Sequence, residues 1–236
     1  MSDRTTSPAP PELPEDRLAR ASDDAVRVVA SGDSWVVIDK PAGMLSVPGR
    51  GPEKADCATA RVRAMFPAAT GPLNVHRLDM ETSGLMVFGL DPRAHAALSL
   101  QFMHRQTAKS YVAVLAGEVA TDEGRVELPL CADWPNRPRQ VVCRERGKPA
   151  VTLWRVLERR GRLTRVEMRP ETGRTHQLRV HAATARELGG IGAAILGDAL
   201  YGDPAGAPRL MLHASHLAFQ APDSRGRLEF WSEPLF

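Results

Sequence analysis

From Val26 onward the chain produces short β-rich runs at hairpin spacing, which leaves few architectures open. VRVVA and SWVVID are separated only by the turn-like Ser31-Gly32-Asp33 and predict a hairpin. GLMVFGL, residues 84 to 90, is apolar throughout and predicts a buried strand; KSYVAVLAG, QVVCR, AVTLWRVLE and RLTRVEMRP are further strand candidates. The last of these alternates apolar with polar residues, as a half-exposed strand does, and strands resume near Met211. Helical patterns are fewer. ATARVRAMF suits a short helix after the loop KPAGMLSVPGRGPEK, and Asp91 caps a second with Pro92 in its first turn and Leu98 and Phe102 on one face. A third should begin with Thr175 as cap, carry Leu178, Ala182 and Ala185 on one face, and end at Gly189-Gly190. Strands and helices in mixed order, without regular βαβ alternation, predict an α+β fold with a mixed or largely antiparallel sheet.

With 236 residues, 43% of them hydrophobic, the chain can bury one sizeable core or two small ones sharing an interface. Pro8, Pro10, Pro11 and Pro14 stand among acidic and polar residues, so residues 1–24 read as a flexible tail and residues 25–236 as the folded domain. No apolar run is long enough to span a bilayer, and the N-terminus has no apolar stretch fit for a signal peptide, which together predict a cytoplasmic protein with no membrane partner. Cys57, Cys131 and Cys143 are too few and too far apart for a disulfide framework or a zinc site and read as buried free thiols. The net charge of +3 hides a split: residues 134 to 186 hold fourteen basic and four acidic side chains. Such a stretch suits a polyanion, RNA or DNA, because each phosphate neutralised releases counterions. Genome base composition is the competing explanation, since 27 of the 31 basic residues are arginine.

HRLDMETSG, residues 76 to 84, places Asp79 just ahead of a Thr-Ser-Gly turn and a strand. Spacing alone leaves two roles open: an aspartate capping a turn, or a carboxylate aimed at a ligand from the edge of a sheet. A two-carboxylate glycosidase built on Asp79 and Glu81 is excluded, because residues two apart do not flank a sugar at the separation of about 5 Å or more that this chemistry needs. His176 with His181, and His213 with His216, mimic metal-ligand spacing, but no carboxylate or cysteine is arranged with them, so no metal is expected.

HRLDMETSGLMVFGLD resembles the HRLD-x-x-TSG signature of the RluA-type pseudouridine synthases. Other segments follow in the family's order: VVIDKPAGMLSVPGR is similar to its KP-x-G hairpin, KSYVAVLAG to its lysine-x-tyrosine strand, and RPETGRTHQLRVH to its TGR-x-HQ-[IL]-R-x-H helix. ILGDALYG and RLMLHA complete the series, and LPLCADWPNRPRQVVC resembles the short branch that lacks an appended S4 domain. The resemblance implies a pseudouridine synthase fold, two subdomains with a catalytic cleft between them, and an enzyme that isomerises uridine in structured RNA without cofactor or metal. It implies Asp79 as nucleophile, attacking either the base or C1′, Arg179 as the cation that keeps it ionised, and Tyr111 stacked on the target base and engaged in proton transfer at C5. Arg77 would fill the space left by the flipped base, with His76, Lys109, Arg174 and His176 as further RNA contacts. Trp134 and Arg137 would support an RNA-facing loop, although Trp134 equally suits a core position.

The implied substrates are a tRNA anticodon stem-loop, a 23S rRNA hairpin, or both, handled by a monomer. Rival readings are a synthase for another RNA site and a non-catalytic RNA-binding or ribosome-assembly factor on the same fold. One departure stands out: where relatives read GHPI-x-GD, this chain has the longer RELGGIGAAILGD.

Overall fold

The expected hairpin closes as β1 (Arg27–Ser31) and β2 (Trp35–Lys40), with Gly32 N–H bonded to Trp35 O across the turn at 3.0 Å. The computed structural model describes residues 25–224 and 226–236; the tail expected over 1–24 lies outside these residues. The strands that follow are β3 (Ser83–Gly89), β4 (Ala108–Ala116), β5 (Glu123–Glu127), β6 (Leu130–Ala132), β7 (Gln140–Val142), β8 (Val151–Arg160), β9 (Leu163–Pro170), β10 (Leu212–Gln220) and β11 (Arg227–Trp231). All but β6 and β7 form one nine-stranded sheet in the order β1-β2-β3-β10-β4-β9-β8-β5, with β11 on β10. β6 and β7 make a separate hairpin. The α+β expectation holds, and the sheet is mixed because β3 and β10 run parallel whereas the other neighbours are antiparallel.

Each half of the sheet buries its apolar residues differently. β3 is buried along its length because both of its faces are covered. On one side Val36, Ile38, Met86 and Phe88 pack with Val62 of α1 (Ala58–Met65). On the other, Val37, Leu85 and Val87 meet Leu98 of α2 (Pro92–Met103). Asp91 caps α2 as expected, its Oδ1 accepting from Ala94 N at 2.8 Å, with Pro92 in the first turn. In the C-terminal half β9 alternates: Thr164, Val166 and Met168 face a core shared with Leu178 and Ala182 of α3 (Gln177–Ala183), while the intervening residues look outward. The two expected subdomains are thus the two halves of one continuous sheet.

α3 is shorter than its sequence pattern suggested. It starts at Gln177 behind a left-handed His176, and it stops before Thr184 because the following loop takes the carbonyls needed to continue. Ile191, Gly192 and Ala193 donate to the carbonyls of His181, Thr184 and Ala182 at 2.9 to 3.0 Å. Arg186–Leu188 form a separate 3-10 turn that ends on left-handed Gly189. The longer RELGGIGAAILGD segment therefore folds back along the end of β4, where Leu196 N bonds Val114 O at 2.8 Å and Ile191 and Ile195 enter the core. Strands β5 and β6 were not among the sequence candidates; they are three to five residues long, too brief for a clear alternation.

The halves meet at β3 and β10, where only Ser83↔His213 and Ala214↔Gly84 are in register. Gly84 has φ +114°, and a methyl group there would overlap the Ala214 backbone. Gly84→Ala should therefore cost about 2–4 kcal/mol of stability in urea denaturation; an unchanged midpoint would mean that the joint yields without strain.

Candidate active site

Asp79 sits at the mouth of the joint on a loop held from both sides. Ser46 Oγ donates to Leu78 O at 2.7 Å and accepts from Leu78 N at 3.0 Å, which fixes the residue before Asp79. After it, Met80 O accepts from Gly43 N at 2.9 Å and from the buried Lys40 ammonium at 3.0 Å. Lys40 Nζ also donates to Pro41 O at 2.9 Å and Met44 O at 2.8 Å. Three carbonyls thus match the three N–H bonds of a side chain with no solvent exposure. Burial pulls the lysine pKa down to about 7, against the opposing charges of Glu81 and Asp79; the three acceptors are arranged for the ammonium form. The KPAGMLS segment, a loop by its composition, is the brace of the Asp79 loop.

His76 completes the frame from beneath. Its Nε2 accepts from Val87 N at 3.1 Å, and its ring stacks on Phe102 with centroids 4.3 Å apart. Burial, helped by the charge of Lys109, lowers its pKa to about 3, so the imidazole is neutral, as an acceptor at Nε2 must be.

A cleft of about 520 Å³ opens over these residues, within the size range of small-ligand sites. Asp79, Tyr111, His176 and Arg179 line it, together with His76, Arg77, Lys109 and Arg174. Tyr111 comes from β4, packs against core residues of both halves, and has its phenol pKa raised by burial and then by the charge of Asp79. Arg179 is 4% exposed and stands between two carboxylates. Its Nε and Nη2 bind Asp198 side-on at 2.8 and 2.6 Å, while Nη1 reaches Asp79 at 3.8 Å. Burial disfavours the guanidinium charge, but the hydrogen bonds and charge of Asp198, with the charge of Asp79, outweigh it and raise the pKa further. Asp198 is wholly buried, and its Oδ1 also accepts from Leu200 N at 2.9 Å and Tyr201 N at 3.1 Å. Arg179 therefore does not form a simple pair with Asp79: its fork is committed to Asp198, and one nitrogen is left facing Asp79.

The remaining candidates fall into two places. Arg77 is exposed on the cleft wall, Lys109 lies 5.7 Å over the Phe102 ring, and Arg174 Nε donates to Pro149 O at 3.0 Å. Trp134 and Arg137 are not in the cleft wall; they stack on each other, 3.0 Å from guanidinium carbon to ring centroid, on the exposed loop between β6 and β7. Trp134 is 66% exposed, which removes the core reading. That loop connects to the cleft through Gln140 N, which donates to Tyr201 Oη at 2.7 Å. Of the cysteines only Cys57 is buried; Cys131 in β6 and Cys143 just after β7 are half-exposed, contrary to the reading of all three as buried. Among the described residues no group of three or more His, Cys, Asp or Glu side chains could hold a metal ion. Sequence reasoning missed Lys40, Ser46, Asp198 and Tyr201, although KPAGMLS and GDALYG lay within the recognised segments.

The model of the RNA pseudouridylate synthase family matches residues 34–184. A protein of Pasteurella multocida named dual-specificity RNA pseudouridine synthase RluA is 45% identical over 219 residues, covering 91% of this chain and 96% of the relative. Its namesake in Escherichia coli K12 is 45% identical over 199 residues, 83% of this chain and 87% of the relative. Among solved structures, human RNA pseudouridylate synthase domain containing 1 superposes with a TM-score of 0.72 at 25% identity, covering 91% of this chain and 85% of that one. Human RNA pseudouridylate synthase domain containing 4 gives 0.69 at 26% identity, with 88% of each chain covered.

Removing the charge that holds Arg179 tests the site's electrostatics. Asp198→Asn leaves a buried guanidinium short of its partner and should cost about 3 kcal/mol in denaturant unfolding. A loss below about 0.5 kcal/mol would show that Asp79 alone compensates Arg179.

Proposed function

Because the chain belongs to the RNA pseudouridylate synthase family, and is an enzyme that isomerises uridine in RNA to pseudouridine, we propose that Asp79 is its nucleophile. The reaction breaks the N1–C1′ bond, forms C5–C1′, moves a proton off C5 and leaves one on N1. It is balanced without redox change, so side chains suffice. What supports the assignment is that, of the two carboxylates lining the cleft, Glu171 is paired with Arg125 at 3.0 Å, whereas Asp79 lies on a loop braced on both sides with Arg179 Nη1 at 3.8 Å and Tyr111 in the same wall. A carboxylate nucleophile must stay ionised while a base covers it, and a fixed guanidinium offsets that desolvation. Because Asp198 orients Arg179, the charge is in place before substrate arrives, and no reorganisation is needed during the reaction.

Tyr111, a phenol kept protonated by its surroundings, provides the flat face against which the uracil stacks and a hydroxyl near C5. Arg77, on the wall, occupies the gap left in the RNA when the uridine swings out, an extrusion that costs a few kcal/mol. Lys109, Arg174 and His176 contact the RNA around the flipped nucleotide, His76 supports the loop beneath them, and Trp134 with Arg137 offers a stacking surface outside the cleft. The substrates are a tRNA anticodon stem-loop and a 23S rRNA hairpin, a reading supported by the dual-specificity names of relatives 45% identical. Residues 25–236 form the catalytic domain, and the protein works as a cytoplasmic monomer. Among the described residues no helix is long and apolar enough to cross a membrane.

Asp79→Asn should abolish tritium release from 5-labelled uridine, by on the order of 10⁴-fold or more, with RNA affinity within about threefold; turnover equal to the parent would end the nucleophile assignment. Arg77→Ala should slow single-turnover isomerisation by about tenfold or more while ground-state binding changes little, because the lost contact is made only after flipping. Equal single-turnover rates would take Arg77 out of that role. Pseudouridine mapping in total RNA from a deletion strain and its parent tests the substrates: loss at sites in both RNA classes is expected, and loss in one alone would reduce the specificity to that class.

A further inference from the structure

His176 enters α3 with φ 53° and ψ 19°, a left-handed conformation that a non-glycine residue keeps only where its surroundings enforce it. In that conformation its side chain meets Tyr201. The tyrosine hydroxyl lies 2.7 Å from His176 Nδ1, and the two rings meet edge-on with centroids 5.6 Å apart. The same hydroxyl accepts the Gln140 N–H at 2.7 Å, so its single proton needs an acceptor elsewhere. Among the described residues His176 Nδ1 is the acceptor within reach, which makes the tyrosine the donor and leaves the imidazole proton on Nε2. His176 lines the cleft, and Nδ1 is the one ring nitrogen bonded within the protein.

Burial favours the neutral form of the ring, while the charges around it pull in both directions. Burial lowers its pKa most, Arg179 and Arg77 act in the same direction, and Asp79 and Asp198 oppose them. Tyr201 is itself held, by its N–H to Asp198 Oδ1 at 3.1 Å and by Arg179 and Arg139, each 5.2 Å from the ring centroid. Neutrality has a chemical use. An imidazolium in the same cleft as Asp79 would draw on the carboxylate's charge, whereas an uncharged N–H can bind a carbonyl and leave the carboxylate alone.

We propose that Tyr201 is a positioning residue that presents His176 Nε2–H as an uncharged donor to a carbonyl oxygen of the flipped uracil. Gln140, at the foot of the Trp134–Arg137 loop, completes the relay, so seating of that loop on RNA and placement of the donor are one event. The target of the donor rests on the reading of the cleft as a uridine site; the relay does not.

Tyr201→Phe keeps the ring and removes only the hydroxyl. Without the donor at Nδ1 the neutral imidazole is less favoured, so His176 should titrate at higher pH in nitrogen-detected NMR of the free protein. With substrate RNA, KM should rise roughly tenfold while kcat stays within about twofold, the signature of a contact made equally in ground and transition states. His176→Asn tolerates the left-handed backbone and removes the Nε2 donor; in that background Tyr201→Phe should change KM no further. An unshifted His176 titration overturns the relay, and an equal KM penalty in both backgrounds overturns the role of Tyr201 through His176. If the parent protein isomerises no uridine while the NMR shift appears, the relay stands and the uridine reading of the cleft is what fails.

Discussion

The two halves of the sheet meet along two ladder pairs between β3 and β10, covered by an apolar cluster of Val37, Leu85, Leu98, Leu217 and Phe219, and the geometry of the cleft depends on that joint. Where Ser83 and Gly84 meet His213 and Ala214, the strands approach so closely that no side chain fits at position 84. Asp79 lies on the loop leading into that contact, Tyr111 is carried by β4 on the other side of β10, and Arg179 lies on the helix packed against the far half. Three groups spread over a hundred residues of sequence thus share one frame. Their separations follow from the joint, which sets the 3.8 Å approach of Arg179 to Asp79.

Around that frame the buried polar groups are almost fully satisfied, which is how charged residues persist in an apolar interior. Lys40 spends its ammonium on three carbonyls, and Asp198 takes Arg179 side-on along with two backbone N–H groups. His181 links Thr152 to Leu128 O beneath α3. Each arrangement ties a loop to a strand or a helix. The loops around the cleft are fixed by directional bonds as well as by packing, and a side chain on such a loop keeps its aim when water leaves.

Much of this was legible from sequence, and the reasons for the rest are physical. β3 and β9 announced themselves through a continuous apolar run and through alternation, because burial on two faces or on one leaves those patterns. Asp91 and Pro92 marked the start of α2 by local hydrogen bonding alone. Lys40 did not stand out: a lysine ahead of Pro-Ala-Gly reads as solvated, and only tertiary carbonyls reveal it as buried. Asp198 was hidden likewise, since its partner lies nineteen residues earlier. The end of α3 was misread because distant N–H groups, invisible to periodicity, claim its last carbonyls. Asp79 was recognisable through the company its motif keeps, and its spacing alone would have left it a turn.

The continuous sheet also divides labour between the enzyme and its substrate. The floor of the cleft is made of hydrogen-bonded strands that run from one half to the other. On the function proposed above, adaptation during recognition falls to the RNA and to exposed segments such as the loop bearing Trp134. Such an enzyme is open to retargeting: rim sequences can drift toward new hairpins while the chemistry beneath is carried unchanged.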